Sequence, residues 1–172
     1  MTYFKRLLII GIILISCVGC DQATKAVAKN HLSQAQPISY LADTFRLHYM
    51  ENKGAFMSLG STMPVEIRFW LLIVLTGIAV VGMLVVVLMH RGLRQPIVIG
   101  LSFIIGGGVG NLIDRVLHNG AVIDFMNIGI GSLRTGIFNV ADVAISAGAL
   151  TLIFFGSRSA NLTHSCIKGG TP

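Results

Sequence analysis

The sequence predicts an all-α membrane protein of four transmembrane helices, with a small β-sheet segment on its outer, membrane-facing surface. Three observations predict it. Of 172 residues, 53% are hydrophobic and only 12% are charged, about half the charged share of a soluble domain. Four stretches approach the roughly 20 apolar residues a helix needs to cross a bilayer. Between the first two, a run of alternating residues has the period of a half-buried strand. The length suits one domain, so residues 1–172 read as a single integral membrane unit.

The spans fall at about residues 7–28, 69–89, 97–113 and 137–155. The first is cleanly apolar only in its early part. The second holds no charged residue. The third is rich in glycine, at Gly106, Gly107, Gly108 and Gly110, which reads as close helix packing. The fourth contains Asn139 and Asp142, the aspartate about one and a half turns inside. The surface sheet lies within about 29–66, where Phe45, Leu47 and Tyr49 alternate with Arg46, His48 and Met50 before a turn at Lys53-Gly54. The second outer segment, 115–136, is short and glycine-rich.

Charge placement orients the chain with both termini in the cytoplasm. Residues 1–6, 90–96 and the tail after Gly156 then carry Lys5, Arg6, Arg91, Arg94, Arg158 and Lys168, and no acid. All seven acids fall on the other side: Asp21, Asp43, Glu51, Glu66, Asp114, Asp124 and Asp142. Lys and Arg near span ends are retained on the cytoplasmic side. The net charge of +6 is explained by this placement. The basic residues form no stripe, so no nucleic-acid partner is expected.

Ionisable groups at membrane depth are costly and mark candidate sites. Asp142 is the clearest, and Asn139 shares its helix face at i, i+3. A plainer reading makes Asp142 a helix-end carboxylate reaching interfacial water, with Asn139 as a cap. Acid–base proteolysis needs a second carboxylate, because two aspartates held close share one proton. Asp114 and Asp124 are the candidates. Asp114 has Arg115 beside it and reads also as an ion-paired helix end, whereas Asp124 stands among apolar residues in Val122-Ile123-Asp124-Phe125. The chemistry prefers Asp124; the spacing leaves both open.

Asp21 and Lys25, at i, i+4, form an ordinary helix salt bridge in which each neutralises the other beside lipid. Asn111 and Arg115, also at i, i+4, can hold a substrate carbonyl or lipid headgroup, or tie helices together. Asn52 and Gly54 have the form of a turn. Cys17-Val18-Gly19-Cys20 has redox or zinc spacing but lies in a span and reads as packing. With Cys166 the odd cysteine count makes no disulfide framework. The five histidines lack metal-ligand spacing. The glycosylation triplet Asn161-Leu162-Thr163 falls on the cytoplasmic side.

Together these residues resemble the bacterial lipoprotein signal peptidases. The segments that carry the likeness run from about Gly19 to Gly148: Asp21-Gln22-Ala23-Thr24-Lys25, Asn52-Lys53-Gly54-Ala55-Phe56, Gly110-Asn111-Leu112-Ile113-Asp114-Arg115, Val122-Ile123-Asp124-Phe125 and Phe138-Asn139-Val140-Ala141-Asp142. They stand in the family's order. The second departs from the family's N-x-G-A-A-F by one alanine. The resemblance implies an aspartic endopeptidase that uses neither metal nor cofactor. Its substrates would be diacylglyceryl-modified prolipoproteins, cut before the lipidated Cys, in a bacterial inner membrane with the active site near the outer leaflet. It implies Asp124 and Asp142 as the catalytic pair. It implies Asp21, Lys25, Asn52, Gly54, Asn111, Arg115 and Asn139 as substrate-binding or supporting residues. Membrane lipid and globomycin-type inhibitors are the other implied partners.

Two other functions fit parts of the sequence. Lys5-Arg6, an apolar run and Val18-Gly19-Cys20 look like a lipoprotein signal peptide, which would make the chain a substrate. A small proton-coupled transporter would use Asp142 as a relay.

Overall fold

Residues 2–55 and 59–156 of the computed structural model are described here. Among them three helices are long and apolar enough to cross a bilayer: α1 (Tyr3–Leu32), α2 (Val65–Met89) and α3 (Gln95–Leu117). A fourth apolar helix, α4 (Val140–Gly156), has 17 residues, about 25 Å of rise. Four strands complete the chain: β1 (Ile38–Tyr40), β2 (Phe45–Asn52), β3 (Val122–Ile130) and β4 (Leu133–Arg134). Phe56, Arg158, Cys166, Lys168 and the triplet at 161–163 lie outside the described residues.

The helix boundaries differ from the sequence expectation for local reasons. Pro64 and Pro96 bracket the starts of α2 and α3, Pro96 sitting in the first turn, where a missing N–H costs nothing. α3 ends where Asn119 and Gly120 turn left-handed, at φ 51° and 86°. α1 runs 30 residues, longer than the expected 7–28, because buried Arg6 anchors its first turns and buried Leu32 its last. α4 starts at Val140 rather than 137, so Asp142 lies in its first turn. Phe138 is instead bridged to Met126 of β3, which holds the preceding residues extended.

One end of the bundle is tied by basic residues. Buried Arg6 donates to the carbonyl of Val87, near the C-terminus of α2. Arg94 reaches the carbonyl of Phe155 near the end of α4, at 3.4 Å. Arg91 lies 5.4 Å over the ring of Tyr3. The first two satisfy carbonyls that a helix end leaves without partners. These contacts gather the α1 start, α2 end, α3 start and α4 end together, so the helices alternate in direction.

Glycine lets α3 approach its neighbours. A Cβ on Gly106 would stand 2.7 Å from Cys17 Cβ, and one on Gly110 would stand 2.6 Å from Asp21 Oδ2. At Gly107 it would collide with the carbonyl oxygen of Ala141 and approach Ile145 Cγ1 to 2.7 Å. Gly107→Ala is therefore expected to force α3 and α4 apart and destabilise the bundle by about 1–3 kcal/mol. Thermal unfolding in detergent checks this against Gly82→Ala, which meets nothing within 4 Å and is expected to unfold at or above the wild-type midpoint.

Ile10, Val80, Val87, Val98 and Ile105 form the core shared by α1, α2 and α3. A second cluster packs Ala28 and Leu32 of α1 against Phe125, Leu47 and Met126, and this seats the sheet on the bundle. The sheet is antiparallel throughout, in the order β1-β2-β3-β4. It extends beyond the expected 29–66, because 122–134 supplies two of its strands. Alternation is absent from Val122 to Phe125, where four successive residues are buried. Both faces of that strand are covered, so the period-2 signal is lost. Met50 pairs with Asp124 and Asn52 with Val122, beyond a bulge between Leu47 and Met50.

Candidate active site

Strand β3 carries Asp124 and the first turn of α4 carries Asp142. Both line one cleft of about 250 Å³, together with Asn52, Asn111, Arg115 and Thr76. Asp124 is 2% exposed and Asp142 is half-buried.

Three asparagines address these carboxylates, and each has its amide orientation set by a second partner. Asn139 Oδ1 accepts the Asp142 N–H at 2.9 Å, and Asp142 Oδ2 accepts the Asn139 N–H at 3.2 Å. This reciprocal box caps α4. With its oxygen committed, Asn139 donates Nδ2 to Asp124 Oδ1 at 2.7 Å. Asn52 Oδ1 accepts the Gly54 N–H at 2.9 Å, closing a turn, and its Nδ2 donates to Asp124 Oδ2 at 2.9 Å. Asn111 Oδ1 accepts Lys25 Nζ at 3.1 Å, so its Nδ2 faces Asp142 Oδ1 at 3.0 Å. The Asn-x-Gly turn and the cap are both present, and both also serve the carboxylates.

Behind this layer lies a charged one. Lys25 Nζ contacts Asp21 Oδ2 at 2.7 Å and Asp114 Oδ2 at 2.9 Å. With Asn111 that makes three acceptors for three N–H groups. All three charged residues are at most 2% exposed. The Asp21–Lys25 pair therefore faces the bundle interior and not lipid. Asp21 Oδ1 also accepts the Ala141 N–H at 2.9 Å, satisfying one of the free donors at the start of α4. Asp114 pairs with Lys25 rather than the adjacent Arg115. It accepts the Ile123 N–H at 2.9 Å and Gln22 Nε2 at 2.9 Å, which ties β3 to α3 just before Asp124. Arg115 turns instead to the carbonyl of Gly54 at 3.0 Å.

Burial pushes the Asp124 carboxyl up to about 6; the charge of Asp142 adds to the rise, and the amides of Asn52 and Asn139 oppose it. A carboxyl so poised can hold a proton near neutrality.

All nine residues singled out in the sequence are thus joined by hydrogen bonds or line the same cleft. Asp114, a candidate for the second carboxylate, is not among the residues that line the cleft. Gln22 has no assigned part although it stands in a quoted segment; its signal is the i, i+3 placement of Gln22 and Lys25 on one face of α1. Thr76 and Ser146 also line the cleft, and nothing in the sequence separates them from other small polar span residues.

A bundle of membrane-length helices that presents two carboxylates to one cleft defines a membrane protein equipped for acid–base chemistry. Residues 13–157 match the family described as Signal peptidase (SPase) II, and the chain belongs to that family. It is 35% identical to a lipoprotein signal peptidase of Brevibacillus brevis, over 79% of this chain and 86% of that protein. It is 36% identical to one from Chlorobium phaeovibrioides, over 85% of this chain and 88% of that protein. Two solved structures described as bacterial membrane enzymes share the fold. One has a TM-score of 0.71 at 22% identity, covering 98% of this chain and 93% of its own. The other has a TM-score of 0.66 at 23% identity, covering 87% and 90%.

Proposed function

We propose that the chain removes signal peptides from prolipoproteins as an aspartic endopeptidase, cutting before a Cys that carries diacylglycerol. Membership of the signal peptidase II family supports the protease activity and the substrate class. The observation that carries the catalytic type is the convergence of Asp124 and Asp142 on one cleft, each receiving an amide N–H from an asparagine that cannot turn away.

The pair holds one proton. The ionised carboxylate takes a proton from water, which attacks the scissile carbonyl. The protonated carboxyl polarises that carbonyl, and the departing nitrogen is protonated as the bond breaks. Asn52, Asn111 and Asn139 keep the carboxylates aimed, and Arg115 with Gly54 shapes the rim where substrate backbone lies. In this reading residues 1–172 form one domain that crosses a bacterial inner membrane four times with both termini inside. The cleft opens near the outer leaflet, and the sheet rests on that surface. The alternating helices and the basic end of the bundle support this orientation. Globomycin-type peptides would compete for the cleft.

The substrate reading is not favoured. α1 continues unbroken through Cys20 and carries Asp21 and Lys25 into the buried network. A relay through the bilayer is poorly served by carboxylates gathered at one end of the bundle.

The test is cleavage by the purified protein of a diacylglyceryl-modified prolipoprotein, set against the unlipidated precursor. Release of the signal peptide from the lipidated form alone is expected, and equal cutting of both would overturn the substrate assignment. Loss of the shared proton ends acid catalysis, so kcat/KM is expected to fall as pH rises through about 6. The corresponding limb in kcat should lie higher, because bound substrate excludes water and disfavours the second charge. A rate that rises through that range would contradict the one-proton pair.

A further inference from the structure

A second cavity, of about 260 Å³, adjoins the cleft. The two share Ile137, Asp142 and Ser146, so Asp142 borders both. One wall of the second cavity is the chain from Thr135 to Phe138, and the other is α4, through Asp142, Val143 and Ser146. The first wall carries a β-bulge. The Thr135 N–H donates to the carbonyl of Ile128 at 2.7 Å, and Phe138 is bridged to Met126. Two steps along β3 are therefore matched by three on this chain, and Gly136 and Ile137 stand together opposite Asn127. A bulge leaves a residue out of the ladder and re-aims the strand, often beside an active site.

Peptide planarity fixes where the free groups point, because the N–H and C=O of one trans peptide are directed oppositely. The Phe138 N–H donates to the carbonyl of Met126 at 2.8 Å, so the Ile137 carbonyl, in the same peptide unit, points away from β3. The Phe138 carbonyl accepts the Met126 N–H at 2.9 Å, so the Asn139 N–H also points away from β3, and it meets Asp142 Oδ2 at 3.2 Å. The Ile137 carbonyl thus faces the Asp142 side of its chain, and among the described residues no donor reaches it. A main-chain acceptor left unpaired beside apolar walls is costly. We propose that the Ile137 carbonyl accepts an N–H of the substrate backbone, and that the signal-peptide side of the substrate lies extended along residues 136–138 in this cavity. Main-chain pairing at a strand edge holds a peptide whatever its side chains, whereas an acyl chain offers the carbonyl no donor. The side before the cut is assigned because Val143 and Ser146 continue α4 from Asp142 along the bundle, where the apolar stretch of a signal peptide would run. This assignment rests on the peptidase reading.

The probe is a synthetic diacylglyceryl-modified precursor peptide in which the backbone amide of each of the three residues before the Cys is replaced, one at a time, by an ester. An ester keeps the extended shape and removes one N–H. Wild type is expected to lose about tenfold in kcat/KM at one of the three positions, the factor of one hydrogen bond, with the loss carried in KM. Val143 is 50% exposed and lines this cavity but not the cleft, so Val143→Trp fills the cavity from its exposed rim. That variant is expected to raise KM for the all-amide peptide and to make the sensitive ester no worse than the other two. Thermal unfolding establishes that it is folded. Failure of folded wild type to cleave the all-amide peptide would overturn the peptidase reading and this assignment with it. Equal cleavage of all four peptides would overturn this assignment alone, as would an ester penalty that persists unchanged in Val143→Trp. So would a Val143→Trp penalty that vanishes when the acyl chains are shortened, because the cavity would then hold lipid.

Discussion

Asp124→Asn and Asp142→Asn are each expected to lower kcat/KM for a lipidated prolipoprotein by about 10³-fold or more. Positioned acid–base groups contribute on the order of 10²–10⁴ each. A dyad acts as a unit, so the double variant is expected to be little worse than either single one. The surrounding bonds show why these changes leave the fold standing. At Asp124 the amides of Asn52 and Asn139 both donate, and neither can turn, because their oxygens hold Gly54 and Asp142 N–H groups. An asparagine there accepts one of them and faces the other with its own NH₂. That costs about 1–3 kcal/mol, and removal of a buried charge offsets part of it. Signal-peptide release and thermal unfolding, measured on the same preparations, separate the two effects. Cleavage retained above a tenth of wild type in either single variant would exclude that residue from the pair. Asp114→Asn provides the contrast. Asp114 is no part of the cleft lining, so its loss is expected to cost stability more than chemistry.

Lys25→Met is expected to be the most destabilising single change in the bundle. Lys25 is the ion-pair partner of Asp21 and Asp114, which are 0% and 1% exposed. Removing one member of a buried ionic cluster costs about 3–5 kcal/mol, because charges are left without compensation. Activity should fall as well. Without the ammonium, Asn111 Oδ1 keeps only the Asn139 Nδ2 donor, at 3.1 Å, to hold it turned from Asp142, and the N–H donated at 3.0 Å is less well secured. The measurement is the unfolding midpoint of Lys25→Met beside that of the triple variant Lys25→Met, Asp21→Asn, Asp114→Asn. Partial recovery of the midpoint in the triple variant is expected, with activity still low. A single variant as stable and as active as wild type would remove Lys25 from any structural role.

The supporting residues differ in how far their partners could be read from the chain. Asn139 and Asp142 sit at i, i+3, and the box they form is local, so the cap was legible. The Asn52–Gly54 turn was legible for the same reason. Asp114 was misleading because its neighbour in sequence, Arg115, points to Gly54 while its partner in space, Lys25, comes from another helix. β3 was missed because burial on both faces erases alternation, and glycines at Gly129 and Gly131 weaken what remains.

The sequence by itself determined three membrane-length helices, the alternating strand at 45–50, the family and the residue types of the site. Apolar content and period are properties of a few adjacent residues, so they survive without a fold. Tertiary structure alone decided which carboxylates share a cleft, which way the Asn111 amide faces, and that Lys25 neutralises Asp114. The Asn111 bonds join residues 31 and 86 positions apart, and Lys25 and Asp114 come from different helices. Such partners are chosen by helix packing, here by glycines that let α3 close on α1 and α4, and no local pattern records that choice.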